Sequence, residues 1–441
     1  MKLTNISLAC FRRFEHLDLS LVNCSQVVLV GNNGSGKSSI LEAVAMGLSW
    51  LVARILREKG SGSTPSDDDI LNGETETRIT LEVEHQDQSF RWSLAKTRKG
   101  GKKNQGSKLG AATRLADIFR EALSTDEQQA SLPLIAYYPV TRVVLDIPLK
   151  IKVRHHFNQI DGYDNALRQG VDFRRFFEWF RECEDSENEA KANLFDQSRN
   201  GHQDRLENEL NRLPSLSGDP QLDAVRNAIT SFIPGFANLR IQRRPRLRMM
   251  IDKNGQTLDV VQLSDGEKSF LALVGDIARR LAMMNPGLKN PLTGKGIVLI
   301  DEVDLHLHPQ WQQTIMGNLV KTFPNVQFIL TTHSPIVISQ ERKPCCFVLA
   351  DGKLKNCDPT FGLDVNQVLM QEMDVEIRAP KIQRKIDRLL ETIEQGNEEK
   401  AENLLTDLKR LLPVNHIEVT KARLLLRRLQ ARHRKQTEET S

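Results

Sequence analysis

The feature that most constrains this chain is GNNGSGKSS at 31–39, set between an apolar strand and an apolar helix. QVVLV, ending at Val30, is a short continuous apolar run. SSILEAVAMGLSWLVARIL, from Ser38, spaces Leu, Val, Met and Ile as a helix does. The loop between them fits G-x-x-x-x-G-K-[ST] in the strand–loop–helix context that gives the pattern its meaning. Gly31, Gly34 and Gly36 lack the Cβ that would keep backbone amides from curling around an anion, and Asn32, Asn33 and Ser35 fill the loop with small polar residues. Lys37 adds a point charge for the β- and γ-phosphates and Ser38 offers a hydroxyl to Mg²⁺. Ser39 lies in the first turn of a helix whose unpaired N–H groups and dipole favour negative charge.

Three further pieces lie downstream. GIVLID at 296–301 and VQFILTTH at 326–333 read as central parallel strands covered on both faces. The first delivers Asp301 and Glu302 to a strand end, where an Asp reaches a Mg²⁺ shell and a Glu polarises an attacking water. Strand ends often carry acids, so the pair has force only together with Lys37. The second strand ends in His333, a candidate sensor of the γ-phosphate or of that water; a lone strand-end His is more often structural. LSDGEKSF at 263–270 opens a helix with Ser264 and the Gly266 amide at its N-terminus, another anion site, although by itself Ser264 reads as an ordinary cap.

Length and composition bound the rest. At roughly 150 residues per domain, 441 residues suggest two or three domains. A formal charge of +4 is too small to name a nucleic-acid partner, so any basic surface must be local. No apolar run approaches the roughly 20 residues needed to cross a bilayer, and MKLTNISLACFRRF lacks the core of a signal peptide. A cytoplasmic protein without a membrane partner is expected. The six Cys at 10, 24, 183, 345, 346 and 357 form no C-x-x-C pair and read as free thiols of a reducing compartment. Between about 155 and 235 the chain is helical, with Phe173, Phe176, Phe177 and Phe180 on one face, a packed stripe. LRIQRRPRLRMMID at 239–252 alternates as a strand. From Pro380 onward helices prevail, with Ile382, Ile386, Leu389, Leu390 and Ile393 in one stripe. Basic residues concentrate at 96–108, 240–248 and 421–435, each a candidate phosphate contact or simply a solvated face.

The order phosphate loop, LSDGE, IVLIDE and strand-end His resembles an ABC-type ATPase head, over about 1–48 and 258–340. The resemblance implies an α/β P-loop head, a mixed sheet flanked by helices. It would be built from 1–150 and 239–350, interrupted by a helical arm insertion at 151–238 and followed by a helical partner-docking segment at 351–441. It implies ATP and Mg²⁺ as ligands, Ser38 and Asp301 on the metal, Glu302 as catalytic base and His333 as switch. It also implies a head-to-tail dimer, with higher oligomers open, in which Ser264 and Gly266 contact the nucleotide held by Lys37 of the other subunit and Asp304 faces the partner.

DEVDLHLHPQWQ at 301–312 and TTHSPIVIS at 331–339 resemble the branch with RecF-like, SMC-like and OLD-family ATPases rather than transporters. AYYPVTRVVLDIPL at 136–149, FFEWFRECEDSENE at 176–189 and TFGLDVNQVLMQEMD at 360–374 are similar to the PtuA-type ATPases of Septu and retron phage-defence systems, which work beside a separate HNH nuclease subunit. Two departures matter. The family's glutamine loop should follow the strand at 132–138, yet Tyr137, Tyr138 and Pro139 stand there. The segment after the head shows no acidic cluster of a TOPRIM nuclease. The paired His of HLHP read as structural, with no third metal ligand nearby. The expectation is therefore an ATPase regulating a nuclease partner; a RecF-like DNA repair ATPase and an ATP-dependent scaffold with little turnover stay open.

Overall fold

The strands of the first sheet alternate as a half-buried sheet must. β1 (Lys2–Phe11), β2 (Phe14–Ser20), β4 (Glu76–His85) and β5 (Gln88–Thr97) pair antiparallel in the order β2-β1-β4-β5, and β4 turns every second side chain into the core. The second sheet is built from continuous apolar runs. β6 (Leu134–Tyr138), β10 (Gly296–Ile300) and β11 (Val326–Thr332) are buried throughout, and β3 (Gln26–Val30) is buried from Val27. Its order is β13-β12-β3-β11-β10-β6, with β12 (Cys345–Ala350) parallel to β3 and β13 (Lys353–Asn356) antiparallel at the edge. The computed structural model describes residues 1–100, 106–126, 129–141, 157–168, 173–199, 218–339, 345–350, 352–357, 362–372, 379–413 and 416–439. They form two compact units, Met1–Val365 and Asn366–Ser441.

Helix α1 (Lys37–Leu56) touches both sheets. Gly47 lets Leu81 of β4 pack directly on its backbone, Trp92 Nε1 donates to the Gly47 carbonyl at 3.0 Å, and the same helix packs against β6, β10 and β11. The expectation that no run nears membrane-spanning length needs correction: α1 has the length and apolar content to span a bilayer. Here that apolar content faces the two sheets, eleven of its residues being buried. Beyond α2 (Gly110–Thr125) the arm contributes α3 (Phe173–Arg199) and α4 (Pro220–Phe232). The Phe stripe of α3 is core, Phe176 seating against Gly275 of α5 (Asp265–Met284). Every residue of α5 from Ser269 onward is buried. The architecture expected of an ABC-type head, a mixed sheet flanked by helices, is the one present.

Three further expectations are overturned. Residues 239–252 are not one strand: β7 (Phe236–Gln242) and β8 (Arg248–Lys253) form a hairpin around Pro245, which has no N–H to give a ladder, and β9 (Gln256–Asp259) completes a three-stranded sheet. The segment from 351 is not wholly helical, because β13 adds a sheet strand before the helices start. Nor are all six Cys free: Cys24 and Cys345 form a disulfide, their Cα atoms 5.8 Å apart, across the starts of the adjacent parallel strands β3 and β12. Cys10, Cys183, Cys346 and Cys357 are outside any disulfide.

The second unit holds helices Pro380–Glu394, Glu398–Leu411 and Ile417–Glu439 around Ile386, Leu389, Ile393, Leu405, Leu408 and Leu426. Of the expected arm, 151–156, 169–172 and 200–217 lie outside the described residues, as do Lys102 and Lys103 of the first basic patch.

Candidate active site

Because β3, β11 and β10 are adjacent and parallel, their carboxyl ends bring the phosphate loop, His333 and the Asp301–Glu302 pair to one edge of the sheet, where open α/β sheets bind ligands. The loop is cut to glycine. Gly36, at φ 109°, caps α1 in a left-handed conformation, and a Cβ there would lie 2.6 Å from Phe14 Cζ; a Cβ on Gly31 would strike the Leu349 carbonyl of β12. Asn32, Asn33 and Gly34 are exposed, while Ser38 and Ser39 are half-buried in the first turn of α1. Lys37 is buried, its Nζ donating to the carbonyls of Gly31 (2.8 Å) and Asn32 (3.1 Å). Burial lowers its pKa, against the pull of Asp301, Glu302 and Asp304. Ser35 Oγ is buried without a hydrogen-bond partner among the described residues. An orphaned hydroxyl, a glycine cradle and a lysine turned onto its own loop together fit a phosphate chain.

The carboxylates are held by a residue that the sequence reading passed over. Thr331 Oγ1, fully buried at the end of β11, accepts from the Glu302 N–H (2.7 Å) and donates to Asp301 Oδ1 (2.5 Å). Glu302 has a φ of 45°, left-handed for a side chain that gains nothing intrinsically from it, so surrounding bonds must hold it there. Thr332 does the same for the next acid, donating to Asp304 Oδ1 (2.5 Å) and accepting from the Ser334 N–H (2.9 Å). His333 sits between these anchored neighbours, its Nε2 3.9 Å from Glu302 Oε1. Burial first and Lys37 second depress its pKa below the ordinary histidine value, outweighing the nearby acids. Burial thus disfavours the charged ring beside Glu302. The TTH triplet was visible in the sequence, but only its His drew a role.

The turn joining β1 to β2 was also missed. Arg12, at φ 51°, donates to Asp69 Oδ1 (2.8 Å) and Ser39 Oγ (3.3 Å) and pairs with Glu42 (2.5 Å), while the Arg13 stem and the Phe14 ring abut Gly36. FRRF carries two adjacent cations before an aromatic, and that was the available signal.

Ser264 and Gly266 stand elsewhere. Ser264 is the exposed N-cap of α5, its Oγ donating to Glu267 Oε2 (2.9 Å); Lys253 holds the other Glu267 oxygen at 2.6 Å. A Cβ on Gly266 would strike the His306 carbonyl, so the helix start lies against the loop that follows Glu302. His308 caps α6 (Pro309–Thr322), its Nδ1 accepting from the Gln310 N–H at 3.4 Å. The expected position of the glutamine loop runs into 142–156, outside the described residues.

Residues 27–339, which include all these strand ends, match the family described as "AAA domain, putative AbiEii toxin, Type IV TA system". The chain belongs to this ATPase family. It is similar to the "Retron Vc95 probable ATPase" of Vibrio cholerae, 36% identical over 84% of this chain and 78% of that one. It is similar also to the "Retron Ec83 probable ATPase" of Escherichia coli, 35% identical over 86% of this chain and 78% of that one. The "Septu protein PtuA" of Bacillus mycoides matches at 46% identity, but over only 17% of this chain and 10% of its own length. This ATPase thus matches both retron proteins over 78% of their length.

The basic stretches are less free than their composition suggested. Arg240 pairs with Asp252, Arg243 with Glu184 and Asp185, Arg248 with Asp259, and Lys96 with Asp67; Arg244 and Arg246 are exposed. In 421–435, Lys421, Arg423, Arg427 and Arg428 are exposed.

Proposed function

We propose that this ATPase is the nucleotide-switched regulatory subunit of an antiphage defence complex, gating an HNH nuclease subunit through ATP-dependent head-to-tail dimerisation. The observation that carries the reading is the division of the site. Lys37, Asp301, Glu302 and His333 converge at one sheet edge, whereas Ser264 is exposed at the N-terminus of α5 with its hydroxyl on Glu267 of its own helix. A second copy supplies the missing half. The names of the two retron relatives support the defence setting.

In this reading the amides of 31–39 and Lys37 cradle the phosphates, and Ser264 and the Gly266 amide of the partner close over the γ-phosphate. Ser38 and Asp301 hold Mg²⁺, which when bound offsets the phosphate charge. Glu302 accepts a proton as water attacks the γ-phosphorus in line and the bond to the ADP oxygen breaks. His333 hydrogen-bonds that water or the γ-phosphate. Because the γ-phosphate is bound by two subunits, its loss favours the open state by the difference in affinity of ATP and ADP for the closed one. Arg244, Arg246 and the 421–428 cations are the surfaces for nucleic acid, with strongly salt-dependent contacts.

The test is a pull-down from the native host with tagged Glu302→Gln protein and ATP. Recovery of an HNH nuclease supports the reading. Recovery of DNA and repair factors alone replaces it with a RecF-like role. Equal, negligible turnover in wild type and Glu302→Gln replaces it with an assembly scaffold.

A further inference from the structure

The helix that carries Ser264 is bonded through Asp276 to β6, the strand beside the one that delivers Asp301. Asp276, in the middle of α5 and fully buried, accepts the Tyr138 hydroxyl on Oδ2 at 3.0 Å. Arg280 Nε reaches the same oxygen at 2.7 Å, and Arg279 grips Oδ1 through Nη2 (2.6 Å) and Nε (3.2 Å). Arg280 also donates to the carbonyls of Gly162 (2.6 Å) and Asp164 (3.0 Å), at the short helical turn Gln159–Tyr163. Tyr138 ends β6, opposite Ile300 of β10, and its main-chain carbonyl accepts the N–H of Asp301 at 2.9 Å. One residue therefore touches the signature helix with its hydroxyl and the Mg²⁺ carboxylate's own backbone with its carbonyl.

Stability is a poor reason for such a cluster. Desolvating three charges is costly, and apolar packing of the same volume serves a core at least as well. What the cluster provides is a fixed orientation between two elements, since four charge-assisted or hydroxyl bonds converge on a single carboxylate. The helix is a stiff lever: twelve residues separate Ser264 from Asp276, about 18 Å at ~1.5 Å per residue.

We propose that Tyr138 is a positioning residue that couples the two nucleotide sites of the closed dimer. Engagement of Ser264 with the partner's nucleotide displaces α5, Asp276 carries the displacement to the Tyr138 hydroxyl, and the Tyr138 backbone carries it to Asp301 and Glu302 of the protomer's own site. The inference rests on the head-to-tail reading above, and deepens it by naming the route between the sites.

The experiment is a double-mutant cycle on ATP turnover by the full-length chain, using Ser264→Ala, Tyr138→Phe and both together. Tyr138→Phe keeps the ring and removes only the hydroxyl. It is expected to lower kcat roughly 2- to 30-fold, the range for residues that carry coupling between sites, with KM for ATP little changed. On the Ser264→Ala background the same change should cost almost nothing, because the signal it relays is already lost. Rate losses that multiply would overturn the proposal and leave Tyr138 a packing residue. 3-Fluorotyrosine at position 138 retains the hydroxyl and should preserve kcat; it also keeps the question answerable if the Phe variant fails to fold, since lost turnover with fluorotyrosine would count against the route. No turnover by wild type, or none lost in Ser264→Ala, would instead overturn the dimer reading and this inference with it.

Discussion

Replacing Thr331 with Val is the sharpest single test of how the carboxylates are held. The swap conserves shape, so no cavity opens and the loss is purely polar. Two bonds disappear at a position with no solvent exposure: that from the Glu302 N–H at 2.7 Å and that to Asp301 Oδ1 at 2.5 Å. An orphaned buried N–H costs about 1–3 kcal/mol and a lost bond to a carboxylate about 1.5–3 kcal/mol. Asp301, 2% exposed, keeps its main-chain bond to Tyr138, and the lower part of each range gives about 3 kcal/mol in all. At roughly 2 °C per kcal/mol for a domain this large, the melting temperature read by circular dichroism should fall about 6 °C. Turnover should fall further than stability suggests. The left-handed Glu302 backbone, held by that N–H, relaxes, and a displacement of about 1 Å at a reacting group costs up to ~100-fold in rate. Phosphate release at saturating ATP reads this directly. Thr331→Ser keeps the hydroxyl and drops one methyl, worth about 1 kcal/mol, and should hold kcat near wild type. A Val variant that turns over as wild type does would refute the claim that this hydroxyl fixes the base.

Other consequences follow from separate parts of the molecule. His85 packs against the Phe119 ring with no partner for Nδ1 among the described residues, and burial, followed by the amino terminus and Lys295, lowers its pKa from 6.5 to about 4. The unfolded chain then binds more protons between those values, so stability contributed here is lost as pH falls from about 6.5 toward 4; His85→Phe should show a smaller drop in melting temperature between pH 7 and pH 5 than wild type. Thiol titration of the denatured, unreduced chain should find four of its six Cys, and Cys345→Ser should lower stability by about 2–4 kcal/mol; six reactive thiols would remove the Cys24–Cys345 link. Gly36→Ala places a methyl 2.6 Å from Phe14 Cζ at a φ of 109°, so ATP affinity by calorimetry should collapse while the second unit's helices still melt as before; unaltered affinity would mean that the loop does not need glycine there.

What the sequence displayed plainly was whatever is encoded locally. The apolar runs at β3, β10 and β11 and the glycine loop each declare themselves within ten residues, and together they place the sheet edge on which the site is built. What it concealed is long-range or weakly patterned. Cys24 and Cys345 lie 321 residues apart, and no spacing rule pairs them. KLKN of β13 is a polar edge strand with one inward residue, indistinguishable from a loop until β12 is beside it. Alternation dominates 239–252, and the contrary signs, Pro245 beside Arg243 and Arg244, outweigh the pattern. Thr331 and Tyr138 belong with the concealed, long-range features: their roles depend on partners 29 or more residues away, so no local reading assigns them.

The two halves of the divided site share a property that bears on how a dimer would be controlled. Lys37 is bonded to two carbonyls of its own loop, and the Ser264 hydroxyl to Glu267, which Lys253 in turn holds. Each group is thus internally satisfied, and reaching a phosphate means exchanging partners rather than acquiring a first one. Exchange makes the net gain small for a weak ligand and appreciable only for a group with several anionic oxygens, which can accept from Lys37, the loop amides and the opposite helix at once. Bare head surfaces then have little reason to adhere, and a γ-phosphate has much. A switch needs that contrast, because a ligand shifts an equilibrium only by its difference in affinity for the two states. The capping box that makes LSDGE an unremarkable helix start is, on this argument, also what keeps the closed state dependent on ATP.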